Sequence, residues 1–105
     1  MILHNIFDAI PTILDEEIID DIIKTDALKI ERIISKGHVS PASGWYDQPD
    51  NEWVIVIKGK ARILIKGEKE VTLISGSYLH LPAHTKHKVT WTTPNSETVW
   101  LAIHY

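Results

Sequence analysis

The feature that most constrains this fold is a series of short β-type segments separated by turn residues at intervals of about ten residues. From Leu28 onward the segments are rich in β-branched and aromatic residues and read KIERIIS, EWVIVIK, KARILIK, EVTLI, YLHLP, HKVTW and ETVWLAIHY. Glycine, proline, serine and asparagine fill the gaps between them. Apart from the glycine- and proline-containing stretch 36–51, no gap is long enough for a crossover helix, which excludes a series of parallel βαβ units. The pattern predicts an all-β antiparallel sandwich or barrel.

The first 27 residues have a different character. The stretch TILDEEIIDDIIKT carries an apolar stripe at helical spacing, made of Leu14, Ile18, Ile19, Ile22 and Ile23. Acidic residues occupy the start of this stretch and Lys24 lies near its end, as the helix dipole favours. We therefore predict one domain over 1–105, with a short N-terminal helix in an extension (1–27) and a barrel over 28–105.

Composition excludes several classes of function. The chain has 105 residues and no cysteine, so it has neither a disulfide framework nor a thiolate metal site. The net charge is −3 and no cluster of lysine or arginine stands out, which argues against a nucleic-acid partner. No apolar run approaches the roughly 20 residues that cross a bilayer, and the N-terminus does not resemble a signal peptide. We expect no membrane partner and a cytoplasmic location.

Two motifs resemble those of the cupin superfamily. NEWVIVIKGKARILI, in which Glu52 precedes Gly59, resembles the second half of the first cupin motif. GSYLHLPAHTKHKV, with Gly76, Pro82 and then His87, resembles the second motif. The resemblance covers roughly 29–105 and implies a compact, jelly-roll-like antiparallel barrel. In the family, two histidines and a glutamate of the first motif and one histidine of the second hold a divalent metal at the barrel mouth.

Only part of that ligand set is present in this chain. Glu52 and His87 match the family positions, whereas Trp45 and Asp47 stand where the first two histidines would be. Asp47 is an alternative ligand, so one hypothesis is a site for Fe, Mn, Ni or Zn formed by Asp47, Glu52 and His87, with His84 as a further candidate. The competing hypothesis is a buried ion pair or hydrogen bond between Glu52 and His87 with no metal.

Aromatic residues near these positions are candidate substrate contacts. Trp91 lies four residues after His87 and, on a regular strand, would share its face, while Trp45 would share a face with Asp47. Two indoles at a barrel mouth would suit a sugar ring or another planar molecule, although tryptophans also simply fill small barrels. Tyr46 and Gln48, in the loop WYDQPDN, would contact substrate if that loop overhangs the mouth.

These observations leave two main functional hypotheses open. The first is a protein that binds a small polar or planar molecule in the barrel mouth without metal. The second is a metal-dependent enzyme of oxygenase, isomerase or lyase type; in either case Glu52 or His87 is a candidate catalytic base. A third, structural role would use the isoleucine-rich N-terminal segment as an interaction surface. The family resemblance also implies a homodimer.

Overall fold

The computed structural model describes residues 1–105 and contains eight β-strands and no helix. The strands are β1 (Ile18–Lys24), β2 (Lys29–Ser35), β3 (Glu52–Lys58), β4 (Ala61–Ile65), β5 (Glu70–Leu73), β6 (Tyr78–Leu81), β7 (His87–Thr92) and β8 (Thr98–His104). They form a five-stranded sheet in the order β1-β2-β8-β3-β6 and a three-stranded sheet in the order β5-β4-β7. All pairings are antiparallel, which confirms the predicted all-β architecture.

The predicted N-terminal helix is wrong, because its isoleucine-rich half forms β1. This strand pairs along β2, with Ile18 opposite Ile34 and Lys24 opposite Lys29. Isoleucine is β-branched, so a strand that finds a partner suits it better than a helix does. Ile19, Ile22 and Ile23 are about half exposed on β1, so the apolar stripe does not pack against the core as a helical face would.

The segment before β1 is fastened to the sheet by one arginine. The Arg32 guanidinium donates to the backbone carbonyls of Ile6 and Asp8 and to the carboxylate of Asp20, which lies opposite it on β1. The hydrogen bond to Asp20 spans 2.7 Å. Arg32 therefore connects β2, β1 and the N-terminal segment at a single point.

The hydrophobic core lies between the two sheets. Both sheets contribute to a buried cluster made of Val54, Val56, Ala61, Ile63, Leu73, Leu81, Trp100 and Ala102. Inward residues alternate along β3, where Glu52, Val54 and Val56 are buried and the residues between them are partly exposed. Eight strands in two facing sheets are the arrangement of a jelly-roll barrel.

One turn glycine is required by close packing. Gly59, between β3 and β4, has a φ of 99°, and a Cβ there would lie 2.6 Å from the Thr98 hydroxyl oxygen and 2.8 Å from the Thr98 Cα. Any side chain would therefore both strain the backbone and collide with the start of β8. Separately, the structure contains no helix of the length and apolar character needed to cross a membrane.

Candidate functional site

Strand register gathers ionisable side chains at one end of the five-stranded sheet. Glu52, the first residue of β3, lies directly opposite His104, the last residue of β8. On the other side of β8, Glu31 lies opposite Ala102, two residues before His104. Residues opposite each other on neighbouring strands share a face, and so do residues two apart on one strand. Glu31, His104 and Glu52 therefore lie on the same face of the sheet, across three neighbouring strands. We call these three residues the interior row; all three are buried.

The opposite sheet supplies His87 to this row. His87 begins β7 and is buried, and its Nε2 lies 3.3 Å from Oε1 of Glu52. The two residues that match the family positions are thus brought together from separate sheets. The Oε1 atom of Glu52 is fully buried and has no well-formed hydrogen bond, because the contact with His87 is poorly aligned.

The pKa of His87 is raised from its ordinary value of 6.5. Burial, the largest influence, lowers this pKa by penalising the charged ring. Three other influences raise the pKa and together outweigh burial: the contact with the Glu52 side chain, the Thr85 carbonyl that faces Nδ1 at 2.8 Å, and the negative charge of Glu52. His87 therefore holds its second ring proton more tightly than an unperturbed histidine does.

A second carboxylate–histidine pair lies beside the first. Nε2 of His104 is 2.7 Å from Oε1 of Glu31 and 4.0 Å from Oε2 of Glu52. Neither His104 nor Glu31 is among the site residues predicted from the sequence. The alternation of β8 does place His104 on the face of Trp100. No spacing signal connects His104 to Glu31, however, because the two are 73 positions apart.

Asp47 does not join Glu52 and His87. Its carboxylate lies 2.8 Å from Nδ1 of His84, and both side chains are substantially exposed. His84 has a positive φ of 61° in the turn before β7, and its backbone N–H donates to the Gln48 carbonyl oxygen at 2.7 Å. The two proposed substitute ligands therefore pair with each other at the rim of the barrel.

The donor set does not fit the metal that the family resemblance implies. No three histidine, aspartate or glutamate side chains of the chain are arranged to hold a metal ion. Nε2 of His104 is already hydrogen-bonded to Glu31, and the Asp47 carboxylate is hydrogen-bonded to His84. A site for Fe, Mn, Ni or Zn needs at least three converging protein ligands, whereas only Glu52 and His87 meet at the family positions.

Trp45 and Trp91 lie outside the barrel interior, contrary to the predicted substrate contacts. The pairing of β4 with β7 shifts register, so that Ile63 lies opposite Val89 but Arg62 lies opposite Trp91. This β-bulge turns Trp91 to the outer face, where the Arg62 guanidinium lies 5.2 Å from its ring centre. Trp45 is covered in the same way by the ammonium group of Lys88, 4.4 Å from its ring centre.

Neither Tyr46 nor Gln48 lines the cavity between the sheets, but the Tyr46 ring lies beside the ring of His87. Tyr46 bridges to His87 through two backbone hydrogen bonds, and the two rings are 5.4 Å apart. Burial raises the pKa of the Tyr46 phenol. A hydrogen bond with Ser40 opposes that increase, and the negative charges of nearby glutamates add to it. Tyr46 is thus a neutral phenol beside His87.

A cavity of about 40 Å³ lies between the sheets at this site. Its lining combines polar and apolar side chains: Glu17, Ile33, Ser40, Glu52, Val54, Ile63, Leu81, His87, Val89 and Trp100. This volume holds about three water molecules, or one small polar group. Trp100 lines the cavity, and its indole N–H donates to the Ser35 hydroxyl at 3.2 Å. Glu17, within the predicted helix, also lines it.

Comparisons with known proteins agree with this architecture. The family model described as "Cupin domain" matches residues 33–104. A structure from Ralstonia eutropha JMP134, described as a putative mannose-6-phosphate isomerase, is 42% identical, covers 99% of this chain and 97% of that chain, and has a TM-score of 0.93. A search of curated proteins found no match.

More distant structures share the fold. An RmlC-like cupin protein from Desulfovibrio desulfuricans is 18% identical, covers 99% of this chain and 96% of that chain, and has a TM-score of 0.75. The DMSP lyase DddQ from Ruegeria pomeroyi DSS-3 is also 18% identical, covers 86% of this chain and 47% of that chain, and has a TM-score of 0.72. At this identity the likeness concerns the barrel alone.

Proposed function

The chain belongs to the cupin domain family, and from that premise we propose that it binds a small polar molecule inside its barrel without a bound metal. The observation that carries this proposal is the Oε1 atom of Glu52. It is buried, has no hydrogen bond, and belongs to a side chain that lines the cavity. Buried polar atoms in proteins are nearly always paired, so an unpaired oxygen in a cavity wall suits a donor group of a ligand.

The chemistry of the lining supports a polar ligand. Glu52 offers a carboxylate acceptor, and His87 and Ser40 add further polar groups to the wall. Ile63, Leu81 and Val89 surround these groups with apolar surface, which strengthens hydrogen bonds by excluding water. A few polar groups in an apolar wall are typical of small-molecule sites.

The metal-free part of the proposal rests on the donor set. Two of the four family ligand positions hold Trp45 and Asp47, and neither side chain reaches Glu52. Elemental analysis of protein purified without a histidine tag tests this directly. We expect well below one equivalent of any transition metal. About one equivalent that is lost in both Glu52→Gln and His87→Gln would contradict the proposal and favour a metal-dependent enzyme.

Binding itself is testable by protein-observed NMR with a panel of small polyols, amines and carboxylic acids. The Trp100 indole N–H and the His87 ring report on the cavity. At least one compound should shift both signals saturably, and Glu52→Gln should weaken that binding. Asp47→Asn, at the rim, is the matched control and should bind normally. If no compound shifts these signals, the chain is not a small-molecule-binding protein of this kind.

A second candidate function is proton transfer within the same site. The raised pKa of His87 next to Glu52 is the arrangement of an acid–base pair, and the 42% identical relative is described as a putative isomerase. In this function Glu52 would accept a proton from a bound substrate and His87 would return one. Hydrogen–deuterium exchange into a ligand found in the NMR panel would detect it, and His87→Gln should then abolish exchange while retaining binding.

A further inference from the structure

The ligand class can be narrowed from the charges inside the barrel. Three carboxylates lie on the inner face of the five-stranded sheet: Glu17, Glu31 and Glu52. Glu17 accepts a hydrogen bond from the Ser35 hydroxyl at 2.6 Å, which holds it against the sheet next to Trp100. The raised pKa of Tyr46 reflects, after burial, the negative charges of these same three glutamates.

Positive side chains do not balance these carboxylates. Lys29 lies 3.5 Å from Glu31, but neither Glu17 nor Glu52 has a lysine or arginine partner. Arg62 and Lys88 cover tryptophans on the outer surface, and Arg32 holds the N-terminal segment. No lysine or arginine lines the cavity, so even with His87 protonated its wall has two carboxylates against one cation.

One of these carboxylate oxygens also lacks a well-formed hydrogen bond, because Nε2 of His87 faces Oε1 of Glu52 at 3.3 Å only in a poorly aligned contact. Glu52 is only 8% exposed, and its Oε1 lacks a hydrogen-bond partner while the side chain lines the cavity. A buried charge whose hydrogen bonding is incomplete is costly, and a cation that donates a well-aligned hydrogen bond to it relieves that cost. The cavity volume of about 40 Å³ limits the entering group to a few heavy atoms.

We infer that the group bound in the cavity is a small organic ammonium, with an N–H directed at Glu52 and the charge balanced by Glu17 and Glu52. This inference rests on the proposed binding function and specifies its ligand. The same charges oppose a phosphate ester, because a dianion would enter between carboxylates with no lysine or arginine to receive it. A phosphorylated sugar, as in the description of the 42% identical relative, therefore does not suit this cavity.

Four probes of graded chemistry test the inference by NMR titration of the Trp100 indole and His87 ring signals. Ethanolamine has an ammonium of the right size, and ethylene glycol replaces that ammonium with a neutral hydroxyl. Tetramethylammonium keeps the charge but has no N–H and is too bulky for the cavity. Mannose 6-phosphate carries the dianion. We expect saturable shifts with ethanolamine and binding at least roughly tenfold weaker for the other three.

Variants of the two carboxylates that line the cavity test whether ethanolamine binds there. Glu52→Gln and Glu17→Gln should each weaken ethanolamine binding by roughly tenfold or more, since each removes one charge at nearly constant shape. Glu70→Gln is the matched control, because Glu70 is exposed and bonds only Thr90; it should leave the affinity unchanged. If Glu52→Gln does not fold, Glu17→Gln still provides the test.

The outcomes separate this inference from the proposed function. Binding of ethylene glycol or mannose 6-phosphate as tight as ethanolamine would overturn the ammonium assignment while leaving small-molecule binding intact. Equal binding of tetramethylammonium would show surface attraction and overturn it too. Displacement of ethanolamine by an equimolar divalent ion at Glu52 would assign the cation site to a metal. Absence of any saturable shift would overturn both proposals together.

Discussion

The protonation of His87 is decided by what faces each of its ring nitrogens. Nδ1 lies 2.8 Å from the carbonyl oxygen of Thr85, which can only accept, so Nδ1 carries a hydrogen. In the neutral ring, Nε2 would then present a lone pair to Oε1 of Glu52 at 3.3 Å. Two facing acceptors repel, and a second ring proton removes that conflict. This is the local reason that the pKa rises despite burial.

Replacing Glu52 should reverse the sign of that shift. Glu52→Gln removes the negative charge beside His87, whereas the burial of the His87 ring remains. We therefore expect the pKa of His87 to fall below its ordinary value of 6.5. Titration of the His87 ring protons by NMR measures it. Glu31→Gln is the control, since Glu31 contacts His104 and not His87. An unchanged pKa in Glu52→Gln would show that the pair is not electrostatically coupled.

The same shift makes folding stability depend on pH. A histidine whose pKa is higher in the folded state binds its proton more tightly there, so its contribution is complete below about 6.5 and disappears as pH rises through the folded value. We expect the free energy of unfolding of the native chain, relative to His87→Gln, to decrease as the pH rises above the ordinary histidine pKa of 6.5. Urea denaturation at several pH values measures both proteins. Parallel pH profiles would contradict this expectation.

Single residues show where sequence reasoning about the site succeeds and where it stops. The resemblance of two motifs to the cupin pattern was enough to predict that Glu52 lies beside His87. Alternation along β7 failed for Trp91, because a bulge after Val89 adds one residue and inverts the face. Such a bulge depends on how β7 pairs with β4, and the sequence HKVTWT contains nothing that indicates its position. Glu31 was missed because its neighbour His104 comes from a remote strand.

At the scale of elements, β1 shows how one pattern can fit two structures. Paired isoleucines in EEIIDDIIK satisfy a helical stripe, and the acidic start suits a helix dipole. The segment forms a strand rather than a helix because the edge of β2 provides backbone hydrogen-bond partners along Ile18–Lys24. The partners of β1 run from Lys29, opposite Lys24, to Ile34, opposite Ile18, and the periodicity of one segment does not reveal this pairing. The strands after residue 28, in contrast, were recognisable because glycine and proline mark their ends.

The fastening of the N-terminal segment can be tested at Arg32. Arg32→Ala removes the hydrogen bonds to Ile6 and Asp8 and the ion pair with Asp20. We expect a loss of about 1–3 kcal/mol in the free energy of unfolding and faster cleavage of the chain before β1 by a nonspecific protease. Arg62→Ala, which loses only a contact with Trp91, is the control and should change stability by less than about 1 kcal/mol. Equal protease resistance in both variants would contradict the role of Arg32.

For the molecule as a whole, stability depends on the contact between the two sheets. Ile63 projects from the three-stranded sheet into the core and is 2% exposed. Ile63→Ala should lower the free energy of unfolding by about 2–5 kcal/mol, because it removes buried surface and leaves a cavity. Ile74→Ala, at a position 58% exposed, should cost less than about 0.5 kcal/mol. Urea denaturation compares them, and similar costs would mean that the sheets are not packed as described.

The position of β8 between β2 and β3 has a kinetic consequence. The pairs that close the five-stranded sheet join residues 65 and 73 positions apart, as in Trp100 with Ser35 and His104 with Glu31. Such remote pairings must overcome the entropy of bringing distant chain segments together before any burial compensates. Refolding after dilution from urea should therefore occur over milliseconds to seconds, rather than microseconds. Until that closure, the carboxylates inside the barrel remain hydrated, and the cavity between the sheets does not exist.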